Sequence, residues 1–264
     1  MPNWVINAVH VDTDNFDSFI DKYSSIDDEG NKFFDFNKIV PMPEGLNIEK
    51  SSRTTDGLKL YLTSLIDNVN ELGDENHKMT ISNFAKMLGS IYKEECLNIG
   101  RFILKHSEIE AIKNKYSNGL NEVINLGRQA FINKIRYGYQ DWYDWSLGNW
   151  GTKWNACNSY FDKNNKIIYF DTAWSPAVPI YKALTESNRD INFNFTFAEE
   201  QAGYLVGEIH TSNGEITHSC LPKPFSKEAY EKFFELWGGE EEYKFNKETG
   251  TYEYIESDYN EEEL

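Results

Sequence analysis

The sequence predicts an α+β protein: a split β-α-β core broken by a long helical block and followed by a hairpin and one last helix. Three observations carry this. Apolar residues alternate with period two in "NWVINAVHV" (3–11) and again in "DINFNFTFAEEQAGYLVGEIHTSNGEITHS" (190–219). From about Thr54 to Tyr137 the spacing changes to i, i+3, i+4 and i+7, as in Leu58, Leu62, Leu65, Ile66 and Val69. Turn formers stand between the periodic blocks, with Pro41 and Pro43 before the helical one and "SNG" (212–214) inside the last strand pair.

Each element follows in chain order. Residues 3–11 are β-branched and alternating, hence a strand. "DTDNFDSFIDKYSS" offers Asp12, Thr13 or Asp14 as a helix cap before Phe16, Phe19, Ile20 and Tyr23 at helical spacing. "NKFFDFNKIVPMPEGL" (31–46) reads as an extended segment that closes a first β-α-β unit and stops at its prolines. Segments 57–72, 80–106 and 107–139 then give three or four helices. "KIIYFDTAW" (166–174) is apolar enough for a central strand, and "SPAVPIYKALTES" (175–187) starts a helix at its Ser-Pro. Phe193, Phe195 and Phe197 mark the next strand. A hairpin joins "YLVGEIHT" to "EITHSC", and Lys223–Trp237 is an amphipathic helix capped by Ser226. Strand-helix-strand, insertion, strand-helix-strand is the ferredoxin-like plan. Its expected boundaries are 1–50 and 138–220 for the core, 51–137 for the helical insertion, 221–237 for the C-terminal helix and 238–264 for an acidic tail.

Composition sets the outer limits. A chain of 264 residues, 40% hydrophobic and 15% aromatic, buries a substantial core in one large domain or two small ones. It has no apolar run near the ~18 residues of a membrane span. Its opening lacks the basic region and apolar block of a secretion signal, so a cytoplasmic location without membrane contact is expected. Cys96, Cys157 and Cys220 are isolated and odd in number, which suits reduced thiols and excludes an iron–sulfur motif. The net charge is −17, and residues 238–264 hold ten carboxylates against two lysines, so a tenth of the chain carries nearly half of the excess. Such a protein is repelled by free nucleic acid. The stretch from Lys113 to Arg136, with five basic residues and one acid, is the exception, and it suits a solvated helix face or a homodimer contact within the insertion.

Five blocks also resemble a known family: "MPNWVINAVHV" (1–11), "FDFNKIVPMPEGL" (34–46), "NWGTKWNA" (149–156), "IIYFDTAWSPAVPIYKAL" (167–184) and "FTFAEEQAGYLVGEI" (195–209). They are similar to the YubB-type proteins of phages and plasmids, a family of unknown function with a ferredoxin-like domain. The resemblance implies a mobile-element origin and a ferredoxin-like core, and it implies no catalytic residue. In that plan Trp150 and Trp154 pack near Trp174.

Chemistry has several candidates, each incomplete. His210 and His218 face each other across the hairpin with Glu208 and Glu215 near, a zinc-type donor set without the tight spacing of a zinc motif. Cys157 near Lys153 lacks a histidine in its block. "GNWGTKW" lacks the Gly-Lys-Ser/Thr ending of a phosphate loop. Asp171 with Glu199 and Glu200 is the acidic set a metal-dependent nuclease would use, and that reading stands third. No cofactor, metal or catalytic residue is therefore expected. The leading expectation is a non-catalytic binding protein that inhibits a host antiviral defence system, in the manner of an anti-CRISPR, by presenting acidic groups to a basic nucleic-acid-handling protein. Trp150, Trp154, Glu240, Glu241, Glu242, Tyr252, Tyr254, Asp258 and Tyr259 are the residues expected to meet it. The alternative is an accessory protein that stacks single strands on its sheet.

Overall fold

Trp4–Asp12 (β1) is the hub of a six-stranded antiparallel sheet in the computed structural model, which describes residues 2–72 and 106–255. The helix expected over 80–106, together with Cys96, Asp258 and Tyr259, lies outside the described residues. The chain forms two compact units, one of residues 1–41 and 146–264 and one of residues 42–145.

In the first unit the strand order is β4 (Cys157–Asp162), β5 (Ile167–Ala173), β1, β6 (Asn192–Glu199), β7 (Val206–Ser212) and β8 (Glu215–Cys220). β1 pairs antiparallel with both β5 and β6, so those two run parallel on either side of it, joined by a helix, α6 (Val178–Ser187). With β4 beyond β5, the order β6-β1-β5-β4 is the ferredoxin-like arrangement. The second strand of the plan is therefore Cys157–Asp162, not the segment 31–46. That segment forms only β3 (Lys32–Phe34), which pairs with β2 (Ser24–Ile26) in a separate ribbon, and two short 3₁₀ turns. Side chains, not a ladder, tie it to β4. Ser159 Oγ accepts from the Phe34 N–H at 3.0 Å and Asn155 Oδ1 from the Phe36 N–H at 2.8 Å, while Asn155 Nδ2 donates to Asp35 Oδ1 at 2.7 Å. The helical unit thus interrupts the first β-α-β half, and does not separate the two halves.

Alternation places Val5, Asn7, Val9 and Val11 on one face of β1, all fully buried. Over that face lie α1 (Phe16–Tyr23) and α6, and the ring of Tyr181 stacks on Phe195 at 4.4 Å while Phe19 meets Phe193 at 5.8 Å. Asn15 is the cap position of α1, one residue past the expected Asp12, Thr13 or Asp14, and Thr13 Oγ1 accepts its N–H instead. The buried Asn7 is fully partnered: Nδ2 donates to Val5 O, Phe170 O and Thr172 Oγ1, and Oδ1 accepts from the Tyr181 hydroxyl. Burial also drives the Tyr181 phenol well above its ordinary pKa.

The hairpin turn is Asn213-Gly214, both at positive φ, as a type I′ turn requires. Beyond it α7 (Lys227–Trp237) begins at Ser226, whose Oγ accepts from the Ala229 N–H at 3.3 Å, as the sequence predicts. α7 covers part of the opposite sheet face through Ala229 and Phe233 on Ala198 and Val206. The expected acidic tail is folded as far as it is described. β9 (Tyr243–Asn246) and β10 (Thr251–Tyr254) form a ribbon whose Tyr243 and Tyr252 rings pack on Tyr230 and Phe234 of α7.

Among its described residues the second unit is mainly helical. α2 (Ser52–Leu72) packs on α4 (Leu120–Tyr137) through Leu58, Leu62, Val123 and Ala130, and the two backbones touch where Gly57 faces Gly127. α3 (His106–Lys115) is held to α2 by the Lys115–Asp56 ion pair at 2.8 Å. Asn133 is fully buried and closes the end of the unit, donating to Gly45 O at 2.6 Å and Gln140 O at 2.9 Å. α5 (Trp142–Asn149) contains the division between the units.

Candidate functional site

The strongest charged feature grows from the end of α7. Gly238 and Gly239, at φ 69 and 76, turn the chain back at the helix terminus and lead into a 3₁₀ turn at Glu240–Glu242. A depression results, lined by Glu231, Phe234, Glu235, Gly238, Gly239, Glu240 and Glu241. Its four carboxylates are all exposed and ring the half-buried Phe234. Glu231 has a partner, Lys227 at 3.2 Å. Of the tyrosines expected beside these acids, Tyr252 is half-buried, with its ring 5.5 Å from Tyr230 and 5.3 Å from both Phe234 and Phe245. Tyr254 is 60% exposed at the ribbon's edge. The structure thus places Glu240 and Glu241 at the depression, Glu242 at the end of the same turn and Tyr254 against Tyr243 at the ribbon's edge, and uses Tyr252 to hold the ribbon down.

Trp150 does not reach a surface. It is 5% exposed, packs edge-on against Phe36 at 5.8 Å, and donates its indole N–H to Val40 O at 2.9 Å. The surrounding block is a turn locked by short contacts. Ser175 Oγ donates to Gly151 O at 2.6 Å and Thr152 Oγ1 to Ala173 O at 2.9 Å, and a Cβ on Gly151 would strike Pro179. Trp154 is half-buried beside Trp4, ring centroids 6.1 Å apart, with Lys153 Nζ 4.3 Å from its own. Neither tryptophan meets Trp174, which is 55% exposed at φ 74.

The sheet face opposite Val5 carries Trp4, Tyr160, Tyr169, Cys157 and Asp171. Burial pushes the Asp171 carboxyl up, against the Asn158 amide that donates to it at 2.8 Å. Burial, then the Asp171 charge, pushes the Cys157 thiol up, which disfavours the thiolate a nucleophile needs. Glu199 does not join Asp171. Strand alternation turns it to the other face, where it is 3% exposed and accepts from Asn3 Nδ2 and from the Gln201 N–H. Asp171 and Glu199 are therefore not brought together, and the third member of the expected set, Glu200, accepts the Trp4 N–H at 3.1 Å.

Across the β7–β8 hairpin, His210 lies opposite His218, ring centroids 5.2 Å apart, and Glu208 lies opposite Cys220. Glu215 sits beside the turn, opposite Ser212, and takes no part. The donor atoms of Glu208, His218 and Cys220 lie within 4.8 Å of one another. Lys232 of α7 donates to Glu208 Oε2 at 2.6 Å, the chief cause that holds this carboxyl below its ordinary value. Cys220, Glu228 and Lys232 are the members the sequence reading missed. One signal was present: "EITHSC" alternates His218 with Cys220.

Among known proteins, residues 149–254 match the family model described as "Ferredoxin-like domain in Api92-like protein". This matched stretch contains β4 to β10 with α6 and α7, while the central strand β1 comes from outside it. No curated protein matches the chain. A solved structure, protein api92 from Yersinia pseudotuberculosis, is similar at 11% identity and a TM-score of 0.38, over 84% of this chain and 99% of that one. No helix among the described residues is long and apolar enough to cross a membrane.

Proposed function

We propose that the chain is a non-catalytic binding protein whose acidic C-terminal surface engages a basic, nucleic-acid-handling protein. The observation that carries this reading is the convergence of Glu231, Glu235, Glu240 and Glu241 around Phe234, on a chain whose net charge is −17. Four like charges at one depression repel one another, and a cationic partner relieves that repulsion. Phe234 and Tyr254 add apolar contact at the centre and edge, while the charge accelerates encounter and enforces choice of partner. In its narrower form the chain derives from a phage or plasmid, and the partner belongs to a host antiviral defence system in the cytoplasm. The resemblance of its sequence blocks to YubB-type proteins supports that form.

The test is recovery of partners from a bacterial lysate by the tagged chain, with and without nuclease treatment. A nuclease-resistant complex with a basic protein, lost in the triple variant E235K/E240K/E241K, is the expected result. Recovery of nucleic acid alone, or of partners that nuclease releases, overturns it. That outcome favours a second reading, in which single strands stack on Trp4, Trp154, Tyr160 and Tyr169, with Lys153 as the adjacent cation. Anisotropy of a labelled single-stranded oligonucleotide, with and without Tyr169→Ala, measures this directly.

A further inference from the structure

We propose that Glu208, His218 and Cys220 form a zinc-binding site on the β7–β8 hairpin, with His210 beside them as fourth donor. The inference is independent of the acidic depression and begins from strand register. A two-residue turn pairs Ser212 with Glu215 and Thr211 with Ile216. Continued unbroken, that register would set Thr217 opposite His210 and Ser219 opposite Glu208, and would send His218 and Cys220 through to the other face of the sheet. It is broken by one residue. Thr217 is left without a partner, its hydroxyl donating to His210 O at 3.2 Å, and beyond it His210 pairs with His218 and Glu208 with Cys220. This bulge alone puts all four donors on one face, the re-aiming of side chains for which bulges are used.

The distances suit a cation. His218 Nε2 is 3.5 Å from Glu208 Oε1, and His210 Nε2 is 3.9 Å from Glu208 Oε2. A tetrahedral zinc ion with ligands at about 2.0–2.3 Å needs donors roughly 3.3–3.8 Å apart. The donor atoms of Glu208, His218 and Cys220 already lie within 4.8 Å of one another, so about an ångström of closure is left for binding to supply. The second layer is in place as well. Lys232 holds Glu208 Oε2 and leaves Oε1 toward His218, and Glu228 Oε1 lies 3.5 Å from Cys220 Sγ, positioned to receive the thiol proton on its way to solvent as the metal–sulfur bond forms. Two carboxylates and a thiolate outweigh the single lysine, so a divalent ion is welcome. One thiolate, imidazoles and one carboxylate select zinc over magnesium or calcium, which take oxygen donors. Bound there, the ion would clamp the edge strand β8 to β7.

The experiment uses the full chain, stripped by chelator and titrated with Co²⁺ and then Zn²⁺. One equivalent of Co²⁺ should give tetrahedral visible bands and a thiolate charge-transfer absorption, both displaced by Zn²⁺. Cys220→Ser should abolish the charge-transfer absorption, Cys157→Ser should leave it intact, and His218→Ala should weaken binding at least about tenfold. Deletion of Thr217 removes the bulge but still sets His210 opposite His218 and Glu208 opposite Cys220, so it should leave binding intact, with circular dichroism confirming a folded chain. Absence of saturable binding overturns the site. So does an absorption that survives Cys220→Ser, or an affinity that His218→Ala leaves unchanged.

Discussion

Gly127→Ala sets two well-characterised effects against each other in the helical unit. Alanine in place of glycine in a helix interior favours the helix by about 1 kcal/mol. At this position, however, a Cβ would lie closer than 3.0 Å to the Gly57 carbonyl and the Leu58 nitrogen, where ordinary contact begins at 3.4 Å. Those are backbone atoms of α2 and cannot rotate away. The same holds in reverse, since a Cβ on Gly57 would strike the Val123 carbonyl. Relief requires α2 and α4 to separate by roughly 1 Å, and a gap of 0.5–1 Å already forfeits about a quarter to a half of each dispersion contact. Leu58, Leu62, Val123 and Ala130, none more than 2% exposed, all lie on that interface. Overpacking of this kind costs about 1–3 kcal/mol, and the lost contacts add to it, so a net destabilisation of about 2 kcal/mol is expected after the propensity gain. Urea denaturation of the whole chain, with amide hydrogen exchange to localise the loss to α2 and α4, reads it. A variant as stable as the parent, or more so, would refute the close-approach argument and leave propensity as the governing effect.

Other predictions concern the sheet-bearing unit. Trp150→Phe removes the indole donor from Val40 O while keeping a ring against Phe36, and should cost about 1–3 kcal/mol in denaturant melts. Asp171→Asn should stabilise the chain at neutral pH. Because the folded carboxyl is raised above 3.8, the native state binds the proton more tightly than the unfolded one, and its stability falls as pH climbs from 3.8 through the folded value. The variant's advantage over the parent should therefore be present at pH 7 and vanish in acid, and parallel melts check it. In the same variant Cys157 should react faster with iodoacetamide, because one of the two causes that raise its thiol is gone.

Much of this architecture was legible wherever an element buries one face. β1, β5, β6 and α6 have apolar periodicity strong enough to declare themselves, and Asn213-Gly214 and Ser226 name their turn and cap outright. β4 stayed hidden because it is an edge strand with an alternately exposed, irregular pattern, and Asn158 sits at positive φ within it. The extended look of 31–46 was real but misleading. Its N–H groups are satisfied by Ser159 and Asn155 side chains, a solution no periodicity announces. The ribbon of β9 and β10 was missed for a related reason, since its tyrosines fold down only because α7 offers Tyr230 and Phe234. Of the site residues, the glutamates at 240 and 241 could be read from charge alone. The face that Cys220 takes could not, because it depends on a single unpaired residue, Thr217, in its own strand.

The bond from Trp150 to Val40 closes the mouth of a long excursion. Residues 42–145, 104 in number, leave and return between those two points, and β1 must find β5 across a gap in which Val5 pairs with Thr172. For an unstructured chain, closing such a loop costs about 2 kcal/mol more than closing one of about ten residues. A helical unit that collapses first, α2 meeting α4 where Gly57 faces Gly127, removes that difference. The excursion therefore need not slow assembly of the sheet, provided that its helices form early, and a lesion at Gly57 or Gly127 would be felt as slower refolding of strands it does not belong to.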